Sequence, residues 1–383
     1  MSPTFPPELF DAIVDFLHDD IPSLCKCGLV CWQWNEVSRF HLFSAVSLGA
    51  HNVDRALQVI CADGSTIPPH IRTLDITDHS RVDLANTVFD ILPDLPALRT
   101  LWLQISYWHK LTSRAKDNIA RILQPITQLR LDEIIFESLD EAFDFLNNAS
   151  QVKDLATSRI HCDHYEIGDA TVALPKLSKL NVSSSRFSQH LLANLCSQNS
   201  PRPVRELSAD LIDEEEISTT CRYIASLGST LKNLSLECVC SDPEIYRVHY
   251  ILSEAINLSQ NSSLRLIDFR IRLYSDTPAW QSIGWVLNIL SKQIAGPLQF
   301  VVLHIFKDRI EVPEEIDMLV DFSAIAALFS NKAHLLYKIS TKLLIWITGL
   351  LSDASAIATI VKDRLHTLDA EGRLQLHVQS WSM

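Results

Sequence analysis

Cysteine and histidine side chains could bind a metal, and two clusters of them stand out. Cys25, Cys27 and Cys31 lie close together near the N-terminus. In a helix, residues two apart point about 200° away from each other, so Cys25 and Cys27 cannot share a ligand sphere there. The second cluster is His161-Cys162-Asp163-His164. Because it has no partner pair at zinc-site spacing, we expect no metal site.

Carboxylates could bind a divalent cation or act as a general acid and base, and one run of four acids stands out. Asp213-Glu214-Glu215-Glu216 precedes a helical pattern, so it suits a solvated first turn, where acids complement the helix dipole. The sequence has no Gly-x-Ser-x-Gly elbow, no Gly-rich phosphate loop with Lys-Ser/Thr and no His-Glu-x-x-His. We therefore predict a protein without catalytic activity or cofactor. An enzyme with a site assembled from distant loops is the alternative, which a deep pocket holding perturbed titratable groups would favour.

Composition restricts the class of protein further. The 383 residues carry a formal net charge of −13, with 47% hydrophobic and 21% charged residues, which is a globular composition. Basic patches that could neutralise phosphates do not occur, so nucleic-acid binding is not expected. The N-terminus does not resemble a secretory signal, and the apolar stretch 343–352 is too short to span a bilayer. With nine cysteines and no export signal, we predict reduced thiols and a soluble protein of the cytoplasm or nucleus.

The elements that could position a binding surface begin with three predicted helices at the N-terminus. Pro6 and Pro7 suit the first turn of a helix, and Glu8 complements its dipole. Apolar residues then recur at helical spacing on more than one side of this helix, which exceeds the single stripe of a surface helix. About forty residues are near the lower limit for independent folding. The surplus apolar surface therefore predicts burial against a second protein or, alternatively, against the rest of the chain as a helical cap.

The same segment resembles an F-box. The matching residues, in the family's order and roughly its spacing, are Pro6, Glu8, Leu9, Ile13, Leu17, Leu29, Val30, Cys31 and Trp34. Phe5 replaces the usual Leu, and Trp32 replaces a residue that is usually basic. The resemblance implies binding to the Skp-family adaptor of a cullin ubiquitin ligase. The adaptor contacts that it implies are Pro6, Leu9, Ile13, Leu17, Leu29, Val30 and Trp34.

After residue 50 a six-residue phrase recurs, with apolar residues at its first, fourth and sixth positions. Its copies start at Ile71, Leu98, Leu131, Val152, Leu177, Val204, Leu231, Leu264 and Leu298. The fourth and sixth positions are two apart, so we expect them on one face of a short strand, turned toward a core. Copies start about 27 to 34 residues apart, except for a slip around residues 152–177.

Helical patterns separate the phrases. They cover residues 84–92, 115–123, 139–146, 187–196, 214–227, 246–258 and 280–294. A strand plus a helix at this period is typical of a leucine-rich-repeat-like α/β solenoid, with a concave parallel sheet and a convex layer of helices. The phrase is lost from about residue 330, where we expect a divergent C-terminal cap ending in a strand at 374–378. Alternating α/β order without a true repeat is the alternative.

An F-box that runs directly into irregular leucine-rich repeats resembles the F-box/leucine-rich-repeat proteins, and among them a large fungal set. Leu17-His18-Asp19-Asp20 and the run from Leu29 to Trp34 carry that likeness. The resemblance implies an α/β protein with a three-helix F-box at 1–45 and a solenoid at 46–383. It also implies a non-catalytic substrate receptor of a Skp/cullin/F-box ubiquitin ligase, which holds a protein substrate near the conjugating enzyme. A repeat scaffold that never engages a cullin is the alternative.

The concave side of the predicted sheet is the expected substrate surface. The third, fifth and seventh phrase positions place there the acids Asp75, Glu133, Glu137, Glu206, Asp210, Glu237 and Asp268, the bases Lys179 and Arg270, and the aromatic residues Trp102 and Phe300. This excess of acids predicts a substrate with a basic segment, steered by the negative field and held by the aromatic residues. The alternative is that an acidic protein carries acids on every side.

Overall fold

The computed structural model describes residues 7–78, 82–166, 168, 170–183, 185–198, 204–238, 245–273, 279–292, 294, 296–331, 334, 336 and 341–380. The chain divides into two compact units, Met1–Leu177 and Ser178–Met383. Both are α/β, with parallel strands and intervening helices, so the predicted class and the parallel sheet are confirmed. Among the described residues, no helix is long and apolar enough to cross a membrane.

The first unit begins with helices and continues with alternating strands and helices. Its helices are α1 (Pro7–Phe16), α2 (Ile21–Cys27), α3 (Trp32–Phe43), α4 (Val53–Ile60), α5 (Val82–Ile91), α6 (Ser113–Leu123) and α7 (Leu139–Asn147). Its strands are β1 (Ala45–Gly49), β2 (Thr73–Asp78), β3 (Thr100–Ile105), β4 (Gln128–Asp132), β5 (Ile135–Ser138), β6 (Asp154–Ser158) and β7 (His161–His164). Short 3-10 helices cover Pro68–His70 and Trp108–Lys110.

The three short N-terminal helices predicted from the sequence are present. The Asp20 carboxylate accepts a hydrogen bond from the backbone N–H of Ser23 (3.1 Å), which caps α2, and Pro22 lies in the first turn. Both α1 and α2 pack against α3. Val14 and Leu24 are fully buried, so a small number of apolar side chains holds the three helices together.

The main sheet of the first unit contains β1, β2, β3, β4 and β6 in that order, with every described pair parallel. Leu74 lies opposite Leu101, and Leu101 lies opposite Leu129, so the buried positions of successive phrases line up. The phrase predicted to start at Leu131 is therefore misplaced along the sequence. The strand that continues the sheet is β4, whose phrase starts at Ile126.

A second, two-stranded parallel sheet explains this error. It pairs β5 with β7 and places buried Phe136 opposite buried Cys162. Glu133 and Arg159 precede these strands and share a left-handed backbone with φ of 52°, which is uncommon for residues other than glycine. The chain leaves the main sheet at these two residues, and strand alternation then resumes in the small sheet. The alternation of buried and exposed residues in β5 therefore resembles the repeated phrase, although this strand belongs to another sheet.

The second unit alternates strands and helices throughout. Its strands are β8 (Lys179–Val182), β9 (Glu206–Leu211), β10 (Asn233–Cys238), β11 (Leu266–Leu273), β12 (Phe300–Ile310), β13 (Lys342–Leu351) and β14 (Leu374–Ser380). Its helices are α8 (Arg186–Ser197), α9 (Glu214–Leu227), α10 (Ile245–Ala255), α11 (Ala279–Ser291), α12 (Glu315–Leu319), α13 (Phe322–Ser330), α14 (Ala354–Arg364) and α15 (His366–Ala370), with a 3-10 helix at Gly228–Thr230.

Strands β8 to β14 are neighbours in chain order, and all of them pair in parallel. Buried Leu236 lies opposite Phe269, which lies opposite Leu303 and then Ile345. Helices cover this side, since the ring of Trp285 on α11 contacts Phe269 with 5.3 Å between centroids. Strand β13 occupies the apolar stretch at 343–352, and β14 contains the predicted last strand. Parallel pairing thus continues past residue 330, where the phrase is no longer recognisable.

The acid run at 213–216 starts helix α9, as predicted. Asp213 Oδ1 accepts the backbone N–H of Glu216 (2.8 Å), and Glu216 Oε2 accepts the backbone N–H of Ile212 (2.9 Å). This reciprocal arrangement satisfies N–H groups that the helix cannot pair itself and is worth about 1 kcal/mol. Glu216 is buried rather than solvated, because its carboxylate is used in the cap.

Candidate functional site

The first candidate surface consists of apolar side chains on the three N-terminal helices. Leu9 and Ile13 on α1 are exposed, as are Leu29 and Val30 between α2 and α3. All four were predicted to contact an adaptor, and all four are accessible to one. Their position on a small helical bundle distinguishes them from isolated apolar residues on the surface of a large domain.

The exposure of the three other predicted adaptor contacts does not follow this pattern. Leu17 and Trp34 are half-buried, so the prediction that they are exposed is only partly met. Trp34 lies in the first turn of α3, the helix against which α1 and α2 both pack, so packing within the bundle covers part of it. Pro6 lies outside the described residues.

Sequence reasoning missed three exposed apolar side chains in the same region. Phe16 is 87% exposed, Trp32 is 74% exposed, and Ile21 is also exposed. The signal for Phe16 was available, because Leu9, Ile13 and Phe16 have the i, i+4, i+7 spacing of one helix face. The exposed set is named here the N-terminal apolar surface: Leu9, Ile13, Phe16, Ile21, Leu29, Val30 and Trp32.

On the main sheet of the first unit, Asp75, Trp102 and Arg130 lie side by side on β2, β3 and β4. Asp75 accepts hydrogen bonds from the hydroxyls of Ser47 (3.1 Å) and Thr77 (3.0 Å). The guanidinium of Arg130 lies 5.7 Å from the centre of the Trp102 ring, within cation–π range. Trp102 is exposed, so it is accessible as an anchor between one acid and one base.

Glu137 lies outside the main sheet, contrary to the prediction, whereas Glu133 remains on the face that carries Trp102. Glu133 follows β4, accepts a hydrogen bond from Gln104 (2.6 Å) and pairs with Arg159 (2.6 Å). Glu137 is exposed on β5, in the separate two-stranded sheet. The displacement of Glu137 follows from the frame error at Leu131, because the seventh position of that phrase belongs to a different sheet.

The second unit arranges its polar residues in rows that cross the sheet. One row, read from β9 to β14, is Asp210, Glu237, Arg270, His304, Trp346 and His377. The row two residues earlier is Ser208, Ser235, Asp268, Val302, Leu344 and Gln375. A third row, read from β8 to β13, is Lys179, Glu206, Asn233, Leu266, Phe300 and Lys342. The predicted substrate residues of this unit, Glu206, Asp210, Glu237, Asp268 and Phe300, therefore share one face of the sheet.

Stacked rings form the β12–β14 part of that face. His304 and Trp346 stack with centroids 5.7 Å apart, and Trp346 and His377 stack at 4.1 Å, with interplanar angles of 12° and 16°. Phe306 stacks on His304 along β12 at 6.1 Å. The sequence offered a signal for His304, the seventh residue of the phrase at Leu298. Trp346 and His377 lie beyond residue 330, where the phrase is lost.

Two acids of this face, Glu237 and Asp268, are paired with arginines within the protein. Glu237 accepts a hydrogen bond from Nε of Arg272 (2.6 Å) and lies 3.9 Å from Nη1 of Arg270. Asp268 accepts the hydroxyl of Ser235 (3.0 Å), with Nε of Arg270 at 3.5 Å. The side chains of Glu237 and Asp268 are 8% and 12% exposed, whereas those of Arg270 and Arg272 are 38% and 53% exposed. The carboxylates therefore lie beneath the arginines.

Two groups in this row have shifted pKa values. Burial, followed by the neighbouring Glu237 carboxylate, raises the pKa of Asp210, although a hydrogen bond with Ser183 opposes the rise. Burial lowers the pKa of His304 below its usual 6.5, against the opposite effect of Asp268, whose Oδ1 lies 3.6 Å from Nε2. His304 is therefore a neutral imidazole near neutral pH.

The cysteine and histidine clusters were the candidates for metal binding. Among the described residues, no group of three or more His, Cys, Asp or Glu side chains could hold a metal ion. Strand alternation in β7 buries Cys162 and leaves His161 and Asp163 exposed on its other side. Burial raises the pKa of Cys162 and of Cys221 to about 12, which keeps both thiols protonated and weakly nucleophilic.

Comparison with known proteins assigns no family to this chain. No protein-family model matches it, and no curated protein matches it at a significant level. The class that the fold itself defines is an α/β protein whose parallel strands alternate with helices and whose N-terminus is a three-helix bundle. The candidate surfaces are apolar on the bundle and aromatic and ionic on the sheet of the second unit.

Proposed function

We propose that this protein is the substrate-recognition subunit of a Skp/cullin/F-box ubiquitin ligase. The observation that carries the proposal is the N-terminal apolar surface on the three short helices. Soluble proteins rarely expose clustered large apolar side chains unless another molecule covers them. The resemblance of the same residues to an F-box indicates which molecule, a Skp-family adaptor that connects the chain to a cullin.

The bundle cannot bury these side chains by itself. Its own interior contains Val14, Leu24 and Cys27, whereas Phe16 and Trp32 extend into solvent. Burying one large apolar side chain is worth about 1.5 to 3 kcal/mol. A partner that covers several of them therefore gains enough free energy for specific binding, even after the cost of association.

In this proposal the rest of the chain holds a protein substrate and performs no chemistry. The outward sides of the two sheets present the aromatic anchors Trp102 and Trp346 beside paired charges, which suits recognition of a protein. No cofactor, nucleic acid or membrane takes part, and the protein acts in the cytoplasm or nucleus. A scaffold outside any cullin ligase is the second candidate, and it would use the sheets in the same way without needing the N-terminal apolar surface.

Adaptor binding is the measurement that tests the proposal. We expect the purified full-length chain to bind a purified Skp-family adaptor in calorimetric titration. The double substitution Ile13→Asp with Phe16→Asp places two charges in the proposed interface, so we expect at least about a tenfold loss of affinity. These residues are better probes than Leu17 and Trp34, which are half-buried and whose substitution could unfold the bundle.

A matched control is the double substitution Val59→Asp with Ile91→Asp, which adds the same two charges at exposed apolar positions of α4 and α5 outside the bundle. Its affinity for the adaptor should equal that of the unchanged chain. Circular dichroism of each variant checks that the helices persist. If the folded Ile13→Asp with Phe16→Asp variant binds the adaptor as tightly as the unchanged chain, the proposed interface is wrong. If the unchanged chain does not bind the adaptor at all, the result favours the scaffold.

A further inference from the structure

Over β11 to β13, the charges that a ligand would meet are opposite to those predicted from the sequence. The acids Glu237 and Asp268 are nearly buried, and the side chains above them are Arg270 and Arg272. Lys342, in the row of Phe300, is exposed on β13. A ligand approaching β11 to β13 therefore contacts cationic side chains, and the acids beneath hold the two arginines in place.

An apolar and aromatic area adjoins these cations. Arg270 lies directly opposite His304, and Arg272 lies directly opposite Phe306. Trp346 is stacked between His304 and His377, so its ring is held in one orientation before any ligand arrives. A preorganised anchor loses little side-chain entropy on binding and contributes more affinity than a mobile one.

We infer that Arg270, Arg272, His304, Phe306, Trp346 and His377 bind an acidic peptide segment that carries one apolar side chain. The carboxylates of the segment accept charge-assisted hydrogen bonds from the two guanidinium groups. The apolar side chain packs against the stacked rings. A basic segment would instead have to displace the arginines from carboxylates that are already paired. That the peptide belongs to a substrate rests on the proposed receptor function, whereas its binding chemistry does not.

Three fluorescent peptides of equal length test this inference. Each contains one Trp, flanked by Asp and Glu in the first peptide, by Asn and Gln in the second, and by Lys and Arg in the third. Fluorescence anisotropy with the full-length chain at low salt should show the acidic peptide binding at least about tenfold more tightly than either of the others. Added salt should weaken this binding, because it screens exposed charges.

The substitution Glu237→Gln distinguishes a site for acidic segments from a site for basic segments, because the two kinds of site predict opposite changes in peptide affinity. It removes the negative charge beneath the arginines and keeps an amide oxygen that can accept the Arg272 hydrogen bond, so the acidic peptide should bind about threefold to tenfold more tightly. A site for basic segments would instead lose affinity. Adding Arg272→Gln removes the ion pair as a unit without leaving an unpaired buried charge, and this double variant should bind the acidic peptide more weakly than the unchanged chain.

Two further variants complete the design. Trp346→Leu should weaken the acidic and amide peptides by a similar factor, because it removes the anchor and keeps the charges. Lys362→Gln, at an exposed position of helix α14, is the matched control and should change nothing. Melting temperatures of all variants verify folding.

Several results would overturn the inference. They are preference for the basic peptide, equal affinity for the acidic and amide peptides, weaker acidic binding by Glu237→Gln, or no binding of any of the three. Adaptor affinity, measured on the same preparations, should be unchanged in every variant. Peptide binding and adaptor binding can therefore fail separately, and each failure identifies the proposal that it contradicts.

Discussion

At the scale of one residue, Asp210 shows what a buried acid on this sheet costs in stability. It lies directly opposite Glu237 on the neighbouring strand, and burial together with that carboxylate raises its pKa. The charged form of Asp210 is therefore less stable in the folded chain than in the unfolded chain. Below its ordinary pKa of 3.8 the carboxyl is protonated in both states. As pH rises through the raised pKa, folding has to overcome the cost of a buried charge.

Asp210→Asn should remove that cost. At neutral pH we expect the melting temperature to rise by about 2 °C, because an amide is neutral and can still accept the Ser183 hydrogen bond. The gain should shrink as pH falls toward 3.8, where the natural carboxyl becomes protonated. Differential scanning calorimetry over this pH range measures both changes. Asp308→Asn, at an exposed position of β12, is the control and should show no such pH-dependent gain.

At the scale of elements, strands β12 and β13 lie very close together at Gly349. A Cβ atom added there would lie 1.9 Å from the carbonyl oxygen of Lys307, next to a register shift in β12. Glycine is the residue that permits this approach. Gly284 differs, because it lies within helix α11 and a Cβ there would meet open space.

Gly349→Ala and Gly284→Ala should therefore change stability in opposite directions. We expect the first to lower the free energy of unfolding by about 2 kcal/mol, since backbone must shift to avoid the clash. The second should raise it by about 0.5 to 1 kcal/mol, because alanine restricts the unfolded chain and suits a helix. Urea denaturation followed by circular dichroism measures both. Equal stability of the Gly349→Ala variant and the unchanged chain would contradict the close approach.

Elements were predictable from the sequence wherever local pattern determines them. The helix predicted at 214–227 has those bounds in α9, because an acidic N-cap and apolar spacing both lie within the segment. The fourth and sixth positions of the phrase are buried in β2, β3, β8, β9, β10, β11 and β12. The frame at Leu131 was wrong because β5 repeats the same alternation in another sheet. Nothing within the segment distinguishes those two strands; only their pairing partners do.

At the scale of the whole molecule, the candidate surfaces were harder to predict than the strands that carry them. On α1, the exposed residues Leu9 and Ile13 could be found from helical spacing, whereas Phe16 was passed over in favour of Leu17, and Ile21 and Trp32 were missed. The row of His304, Trp346 and His377 depends on the register of strands that are distant in sequence, which local pattern does not determine. The burial of Glu237 and Asp268 beneath arginines likewise depends on cross-strand contacts. Counting acids in the sequence therefore gave the wrong sign for the accessible charge over β11 to β13.

Adaptor binding should stabilise the whole chain if the N-terminal apolar surface is its contact. A partner that binds only the folded state raises the free energy of unfolding by about 2.7 kcal/mol when its free concentration is roughly 100 times Kd. We therefore expect a higher melting temperature and a higher soluble yield when the chain is co-expressed with a Skp-family adaptor, because exposed apolar surface favours aggregation. The Ile13→Asp with Phe16→Asp variant should show the opposite pattern: better yield when expressed alone and no gain from the adaptor. Equal yield and melting temperature of the unchanged chain with and without adaptor would contradict this account, since covering Phe16 and Trp32 cannot leave the folded state unaffected.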